Sequence, residues 1–298
     1  MAAHLIDGKS IARQIRDELK ADVTELATRG VVPGLGVLLV GNHPASRSYV
    51  TAKEKACAEI GMLSREINLP ETASPREIVQ AVEALNAASD IHGILVQLPL
   101  PDSSIEQEVL QTVDPGKDVD GFHPVNVGRM VLGLPAYWPC TPHGILQMLK
   151  RSSIPVAGAH VVVIGRSNIV GRPLSILLSM KHVLGNATVT LCHTGSRDIA
   201  KLTRQADIVI AAAGRPHTLT EDMVRPGAAV IDVGVNRVED PTRERGYRLI
   251  GDADFDDLLP IASAITPVPG GVGPMTIAML LHNTVQAARR LTNNEAKG

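Results

Sequence analysis

The spacing of hydrophobic and polar residues changes several times along the chain, and each change marks an element. Residues 35–40, LGVLLV, form a short aliphatic run closed by Gly41 and Asn42, the pattern of a buried strand and its turn. A helical period follows over about residues 46–60 and stops at Gly61. Residues 66–69 predict a second strand, with Pro70 behind it. Ser74 followed by Pro75 is the order of a cap and a first-turn proline, and the helix it opens runs to about residue 88. Residues 91–97 predict a third strand, closed by Pro99 and Pro101. Strands spaced by helices of this length imply βαβ units and a mostly parallel sheet.

The pattern then fades. Residues 114–144 are rich in Pro, Gly and Asp with little periodicity, and read as an ordered loop over a cleft leading into a helix over residues 142–150. Alternation resumes at His160. Four apolar runs, at residues 161–164, 187–191, 207–211 and 228–233, predict four strands of a doubly wound unit. A Pro/Gly-rich connection over residues 266–274 precedes a last helix, residues 275–291, and a polar tail expected to fray. The two helices at 142–150 and 275–291 read as bridges. The expected architecture is therefore α/β with two domains and a cleft between them, 1–141 plus 275–298 forming one and 142–274 the other.

Composition narrows the partners. The chain of 298 residues has 44% hydrophobic but only 2% aromatic residues, so its cores are aliphatic. The scarcity of aromatic stacking platforms argues against single-stranded nucleic acid as a partner. A net charge of -2 leaves no electrostatic footprint for DNA or an anionic membrane. Cys57, Cys140 and Cys192 are far apart and show no CxxC spacing, which argues against zinc and for a reducing compartment. Asp7 and Lys9 interrupt the stretch a signal peptide would keep apolar, and no run of about 18 apolar residues occurs. The expectation is a cytoplasmic protein without a membrane partner.

The strand at 161–164 runs straight into GRSNIVGRP. Gly165, Arg166, Ser167 and Asn168 make a turn, and Gly171 and Pro173 open a helix. Glycine lets backbone approach a phosphate, and a helix N-terminus offers free N–H groups and the positive end of a dipole. This is a dinucleotide turn with Gly-x5-Gly spacing in place of G-x-G-x-x-G; an ordinary βα turn is the plain alternative. The next strand ends at Leu191 and Cys192, followed by His193, Thr194, Ser196 and Arg197. No carboxylate is available there for a ribose 2′-hydroxyl. Arg166 and Thr194, with His193 or Arg197, suit a 2′-phosphate instead, and the cofactor expected is NADP. Farther on, residues 231–236, IDVGVN, end another strand at the edge where a nicotinamide would lie.

The helix at 46–60 carries an oddity. Tyr49, Lys53, Ala56, Cys57 and Ile60 share one face, and that face is otherwise the apolar one. A lysine buried there has a depressed pKa and exchanges protons near neutrality. Taken alone, the helix favours a plainer arrangement in which Lys53 snorkels its ammonium to the surface. Gln97 is the single polar side chain at the end of an apolar strand and faces either a ligand or nearby backbone. DPGKDVDGFHP places three aspartates, Asp114, Asp118 and Asp120, in seven residues; the spacing fits no calcium loop, and capping turns account for it without a metal.

YVTAKEKA, HGILVQLPLP, KDVDGFHP, PCTPHG, GRSNIVGRP, VIDVGVNR and ITPVPGGVGPMT occur in this order from about residue 6 to residue 291. Together they make the chain resemble the bifunctional methylenetetrahydrofolate dehydrogenase/methenyltetrahydrofolate cyclohydrolase (FolD) family. The resemblance implies an N-terminal α/β catalytic domain, which takes the tetrahydrofolate substrate, and a Rossmann-type doubly wound parallel-sheet domain for NADP. It implies oxidation of 5,10-methylenetetrahydrofolate to the methenyl cation, then hydrolysis to 10-formyltetrahydrofolate. Lys53 matches the catalytic lysine, Tyr49 its partner over the pterin ring, Gln97 the glutamine bonded to the lysine, and Asp120 the carboxylate on the pterin edge. Gly165, Arg166, Ser167, Thr194 and Val235 match cofactor-contacting positions. The family often has Ser where this chain has Thr194, and either hydroxyl can bond a phosphate. A homodimer joined through the cofactor domain is also implied. Rival readings are an enzyme with one of the two activities, or a non-catalytic NADP-binding regulator.

Overall fold

The computed structural model describes residues 3–243 and 246–295. In chain order it contains β1 (His4–Leu5), α1 (Gly8–Thr28), β2 (Gly34–Val40), α2 (Pro44–Ile60), β3 (Leu63–Leu69), α3 (Pro75–Ala87) and β4 (Gly93–Val96). Next come α4 (Glu106–Thr112), α5 (Pro124–Val131), α6 (Cys140–Arg151), β5 (His160–Ile164), α7 (Gly171–Ser179) and β6 (Thr188–Cys192). The rest is α8 (Ile199–Thr203), β7 (Ile208–Ala211), β8 (Ala229–Asp232), β9 (Asn236–Glu239), β10 (Tyr247–Ile250), α9 (Phe255–Leu258), β11 (Ala264–Ile265) and α10 (Val272–Glu295). Among the described residues no helix is long and apolar enough to cross a membrane.

The chain divides into two compact units. One comprises Arg13–Cys140 with Ile277–Gly298, the other Met1–Ala12 with Thr141–Thr276. The first holds a three-stranded parallel sheet in the order β3-β2-β4. Its central strand β2 is buried at every position, which is why it reads as an uninterrupted apolar run. Leu38, Val40, Ile94 and Val96 of the sheet pack with Ile78, Val82 and Leu85 of α3. The cap expected at Ser74 is present, and Glu77 completes it as a capping box: the Ser74 hydroxyl accepts from the Glu77 N–H, and the Glu77 carboxylate accepts from the Ser74 N–H.

The second unit holds a six-stranded sheet in the order β1-β11-β8-β7-β5-β6, parallel throughout. Valines, isoleucines and alanines of β5, β7 and β8 make its core with Leu219, Leu258 and Ile265. Strand order reverses at β5, which has β6 on one side and β7 on the other. In open α/β sheets, ligands bind outside the carboxyl ends of the strands at such a reversal.

Several expectations need correction. Residues 1–12 belong with the six-stranded unit rather than with the N-terminal domain, because β1 pairs in parallel with β11 through His4↔Ala264 and Leu5↔Ile265. A two-residue strand has no period to read, so neither β1 nor β11 was legible. The antiparallel pair β9 and β10 was also not foreseen. Helix α1 is an addition; Ile11, Ile15, Leu19, Val23 and Leu26 are buried along one face, a signal present in the sequence. The aperiodic stretch 114–144 contains α5, started by the His123 ring accepting from the Val125 N–H, with Pro124 in the first turn. The strand expected at 91–97 is shorter, ending at Val96 and leaving Gln97 just beyond it. The tail expected to fray after residue 291 is helical through Glu295, and residues 296–298 lie outside the described residues.

Candidate active site

In the three-stranded unit, α2 and the carboxyl end of β4 bring two of the expected residues into contact. The Lys53 ammonium donates to Gln97 Oε1 at 2.9 Å. Gln97 Nε2 donates to the Leu98 carbonyl at 2.8 Å, and the Gln97 N–H bonds to the Leu38 carbonyl at 2.9 Å. The glutamine is thus oriented at three points, and its two candidate roles coexist: it meets neighbouring backbone and aims its carbonyl oxygen at the lysine. Lys53 does not snorkel, being 7% exposed among Val50, Cys57 and Ile60. Burial lowers its pKa from the ordinary lysine value, and Asp120, Cys140 and Cys57 nearby pull it back up.

Asp120 lies in the turn that follows Asp118. Desolvation pushes its carboxyl up to about 6, against the opposing pull of Lys53. The buried thiol of Cys140, at the start of α6, donates to the Val119 carbonyl at 3.4 Å, and it is pushed well above its usual range by burial and by the nearby Asp120 charge. Burial also drives Cys57 up to about 12, so neither thiol ionises near neutrality. Tyr49, one turn before Lys53, is 43% exposed and departs from the buried face its spacing placed it on. It lines a cavity of about 560 Å³ together with Ser46, Gln97 and Pro99. Site residues left unassigned by sequence reasoning are Asn126, Asn283 and the structural part of Asp118. Asn283 of α10 donates to the Val119 and Trp138 carbonyls at 2.8 and 3.1 Å, holding the chain on both sides of this site. A long-range asparagine leaves no local pattern to read.

In the six-stranded unit, β5 ends at Ile164, and Gly165 turns away with φ 123°. A Cβ on Gly165 would sit 2.0 Å from the Ala212 carbonyl oxygen, and one on Gly171 would sit 1.9 Å from the Gly165 carbonyl oxygen. Only glycine allows so tight a return into α7. Ser167 Oγ accepts from the N–H groups of Val170 and Gly171 at 3.2 and 3.4 Å, closing the turn. Arg166, Ser167 and Thr194 are exposed, and β5–β6 pairing through Ile164↔Cys192 sets the first two beside the third at adjoining strand ends. Val235, 49% exposed, follows β8 on the same carboxyl edge. His193 is taken up in its own turn, its ring accepting from the Gly195 N–H. A glycine cradle, a helix N-terminus and an exposed arginine without a competing carboxylate fit the phosphates of NADP.

Behind this edge lies a second carboxylate cluster. Asp232 ends β8 and accepts from the N–H groups of Gly234, Asp252 and Ala253, each at 2.9 Å. Asp252 accepts from the N–H groups of Ala213 and Gly214 and from Asn236 Nδ2, at 2.7 to 2.8 Å. Burial raises Asp232 to about 6, and the Asp252 charge adds to the rise. The packing is tight enough that a Cβ on Gly251 would fall 1.7 Å from Asp232 Oδ2. Together the pair fastens the loops after β7, β8 and β10.

Comparison with known proteins assigns both parts of the chain to one family. Residues 6–120 match the family model described as "Tetrahydrofolate dehydrogenase/cyclohydrolase, catalytic domain". Residues 139–292 match "Tetrahydrofolate dehydrogenase/cyclohydrolase, NAD(P)-binding domain". The bifunctional protein FolD of Prosthecochloris aestuarii is 55% identical over 292 residues, 97% of this chain and 99% of that protein. The crystal structure of bifunctional FolD from Campylobacter jejuni superimposes with a TM-score of 0.91 at 46% identity, covering 97% of this chain and 100% of the other. That of the Trypanosoma brucei enzyme, complexed with NADP cofactor and inhibitor, gives 0.93 at 39% identity, covering 98% and 99%. The chain belongs to the tetrahydrofolate dehydrogenase/cyclohydrolase family.

Proposed function

We propose that Lys53, held by Gln97 and set in the field of Asp120, hydrolyses the folate cation that the same chain produces. The chain is a bifunctional one-carbon enzyme. It oxidises 5,10-methylenetetrahydrofolate to 5,10-methenyltetrahydrofolate and hydrolyses that to 10-formyltetrahydrofolate. The buried Lys53–Gln97 contact carries this reading, because a desolvated amine is a proton carrier where an exposed one is not.

NADP supplies the hydride acceptor when bound. Gly165 and the first turn of α7 would take its phosphates, Arg166 and Thr194 would hold its 2′-phosphate, and Val235 would lie beside its nicotinamide. Ser167 stiffens that turn through its two backbone bonds. The protein's part in hydride transfer is orientation rather than acid or base catalysis. Hydrolysis asks more. Neutral Lys53 accepts a proton as water adds to the methenyl carbon. The resulting ammonium returns a proton to the ring nitrogen as the carbon–nitrogen bond breaks, and the hydroxyl proton of the adduct leaves to solvent. Asp120 accepts hydrogen bonds from the pterin edge, and Tyr49 lies over the pterin face. The enzyme acts in the cytoplasm as a homodimer.

Incubation with methylenetetrahydrofolate and NADP⁺ tests the reading. NADPH absorbance reports oxidation, and separation of methenyl from formyl folate without acidification reports how much escaped hydrolysis. NADPH formation without any methenyl or formyl folate would sink it.

A further inference from the structure

Asp118 lies two residues before Asp120, and its surroundings differ in kind. It is 4% exposed, and its carboxylate is spent on its own loop. Oδ1 accepts from the Phe122 N–H at 3.2 Å; Oδ2 accepts from the His123 N–H at 2.9 Å and from Asn126 Nδ2 at 2.8 Å. Residues 118–123 are thereby closed into an arch with Asp120 in its middle. Asn126, buried on α5, donates also to the Pro115 carbonyl at 2.9 Å and so ties the arch to the chain entering it. That entry is anchored in turn. The Ile94 N–H donates to the Lys117 carbonyl at 2.7 Å, and the Lys117 ammonium donates to the carbonyls of Asn86 and Ala88 at the end of α3.

We propose that Asp118 is a positioning residue for Asp120, holding the arch on which Asp120 stands and setting part of the field in which it works. The inference rests on the reading of Asp120 given above. A backbone turn alone would not need a buried carboxylate, since Asp114 builds its turn with one bond to the Gly116 N–H from an exposed position. Burying a charge is costly unless it is fully bonded, so three donors on one carboxylate mark a rigid device. Among the described residues, the titratable groups facing Asp120 are Lys53, Asp118 and the Cys140 thiol; those facing Asp118 include His123, and Tyr137 feels it across the arch beside Arg290. Lys53 draws the Asp120 carboxyl down, and Asp118 pushes it up. Loss of the Asp118 charge therefore lowers the pH at which Asp120 takes a proton.

The test compares D118N, N126A and D120N in the full-length enzyme, reading kcat, KM and the acid limb of methenyltetrahydrofolate hydrolysis beside thermal unfolding. D118N is expected to lower kcat/KM about tenfold through misplacement of Asp120, and to move the acid limb to lower pH. N126A, which keeps the Asp118 charge and loses both amide bonds, to Asp118 and to the Pro115 carbonyl, is expected to raise KM about threefold with the acid limb in place. A merely structural role would lower the unfolding temperature without moving the limb. Wild-type kcat/KM and acid limb in folded D118N overturn the proposal. If D118N does not fold, N126A with unchanged KM and kcat overturns it instead. Full hydrolysis by D120N would defeat the underlying reading of Asp120, whereas impaired D120N beside unaffected D118N defeats this inference alone.

Discussion

Two aspartates in this chain, the half-buried Asp120 and the buried Asp232, are both pushed up to about 6, and desolvation is the leading cause in each. Their partners separate them. Asp120 is set against a side-chain cation, Lys53, and a side-chain thiol, Cys140. Asp232 is set against three backbone N–H groups, with a second carboxylate, Asp252, beside it. Backbone donors cannot be redirected, so the second carboxylate is a fixture that braces loops. Side-chain partners leave lone pairs and protons that a substrate can recruit. A perturbed pKa alone therefore does not tell a reacting group from a brace, while the chemistry of its partners does.

The largest expected effect breaks the comparison on the Lys53 side. K53M should cut hydrolysis by about 10²-fold or more while leaving NADP binding in place, since it removes the only proton carrier assigned to that step. Intact cyclohydrolase turnover in K53M would falsify the assignment. On the other side, D232A strips the acceptor from three backbone N–H groups buried together. It should cost about 3 kcal/mol of stability, and should impair the dehydrogenase before the hydrolase. Thermal and urea unfolding check the first, and paired assays the second; a fully stable D232A would show that the loops brace themselves.

R166A tests the cofactor half. It should raise the KM for NADP about tenfold and that for NAD little, because only the 2′-phosphate distinguishes them. Equal changes would remove the 2′-phosphate argument. The smallest effect is in pH. Asp120 must be ionised to accept from the pterin edge, so hydrolysis should fall as pH drops through about 6. A pH–rate profile that is flat down to the usual carboxylate range near 3.8 would refute the required ionisation. Stability runs the other way. A raised carboxylate binds its proton more tightly in the folded chain, so the stability both aspartates contribute is fully present below the ordinary value of 3.8 and is lost as pH rises through about 6. Unfolding measured between pH 4 and 7 should show this contribution in the wild type and lose part of it in D232N.

The candidate site was unevenly legible. The turn from Gly165 to Pro173 was readable because close backbone approach demands glycine, and the structure puts the glycines where a Cβ would strike carbonyl oxygen. Lys53 was readable only as an anomaly on an apolar face, and the helix by itself favoured the wrong resolution. A lysine stem is long enough to reach solvent from such a face. What keeps it inside is Gln97, 44 residues away just beyond β4, together with the field of Asp120. Three aspartates that looked alike in DPGKDVDGFHP separate into a turn cap at Asp114, an arch clasp at Asp118 and a desolvated carboxyl at Asp120.

By itself the sequence determined what local pattern can carry. It set the α/β alternation, the parallel β2 and β5 cores, the cap at Ser74, the phosphate turn and the family. Those features follow from period, cap chemistry and glycine sterics within a few residues. Only the tertiary structure decided that β1 joins the six-stranded sheet, that Lys53 stays buried, and that Asp232 and Asp252 share a brace. Each of these depends on groups distant in sequence meeting in space, and on the loss of water around them. Burial is a property of the assembled chain, so no window along the sequence contains it.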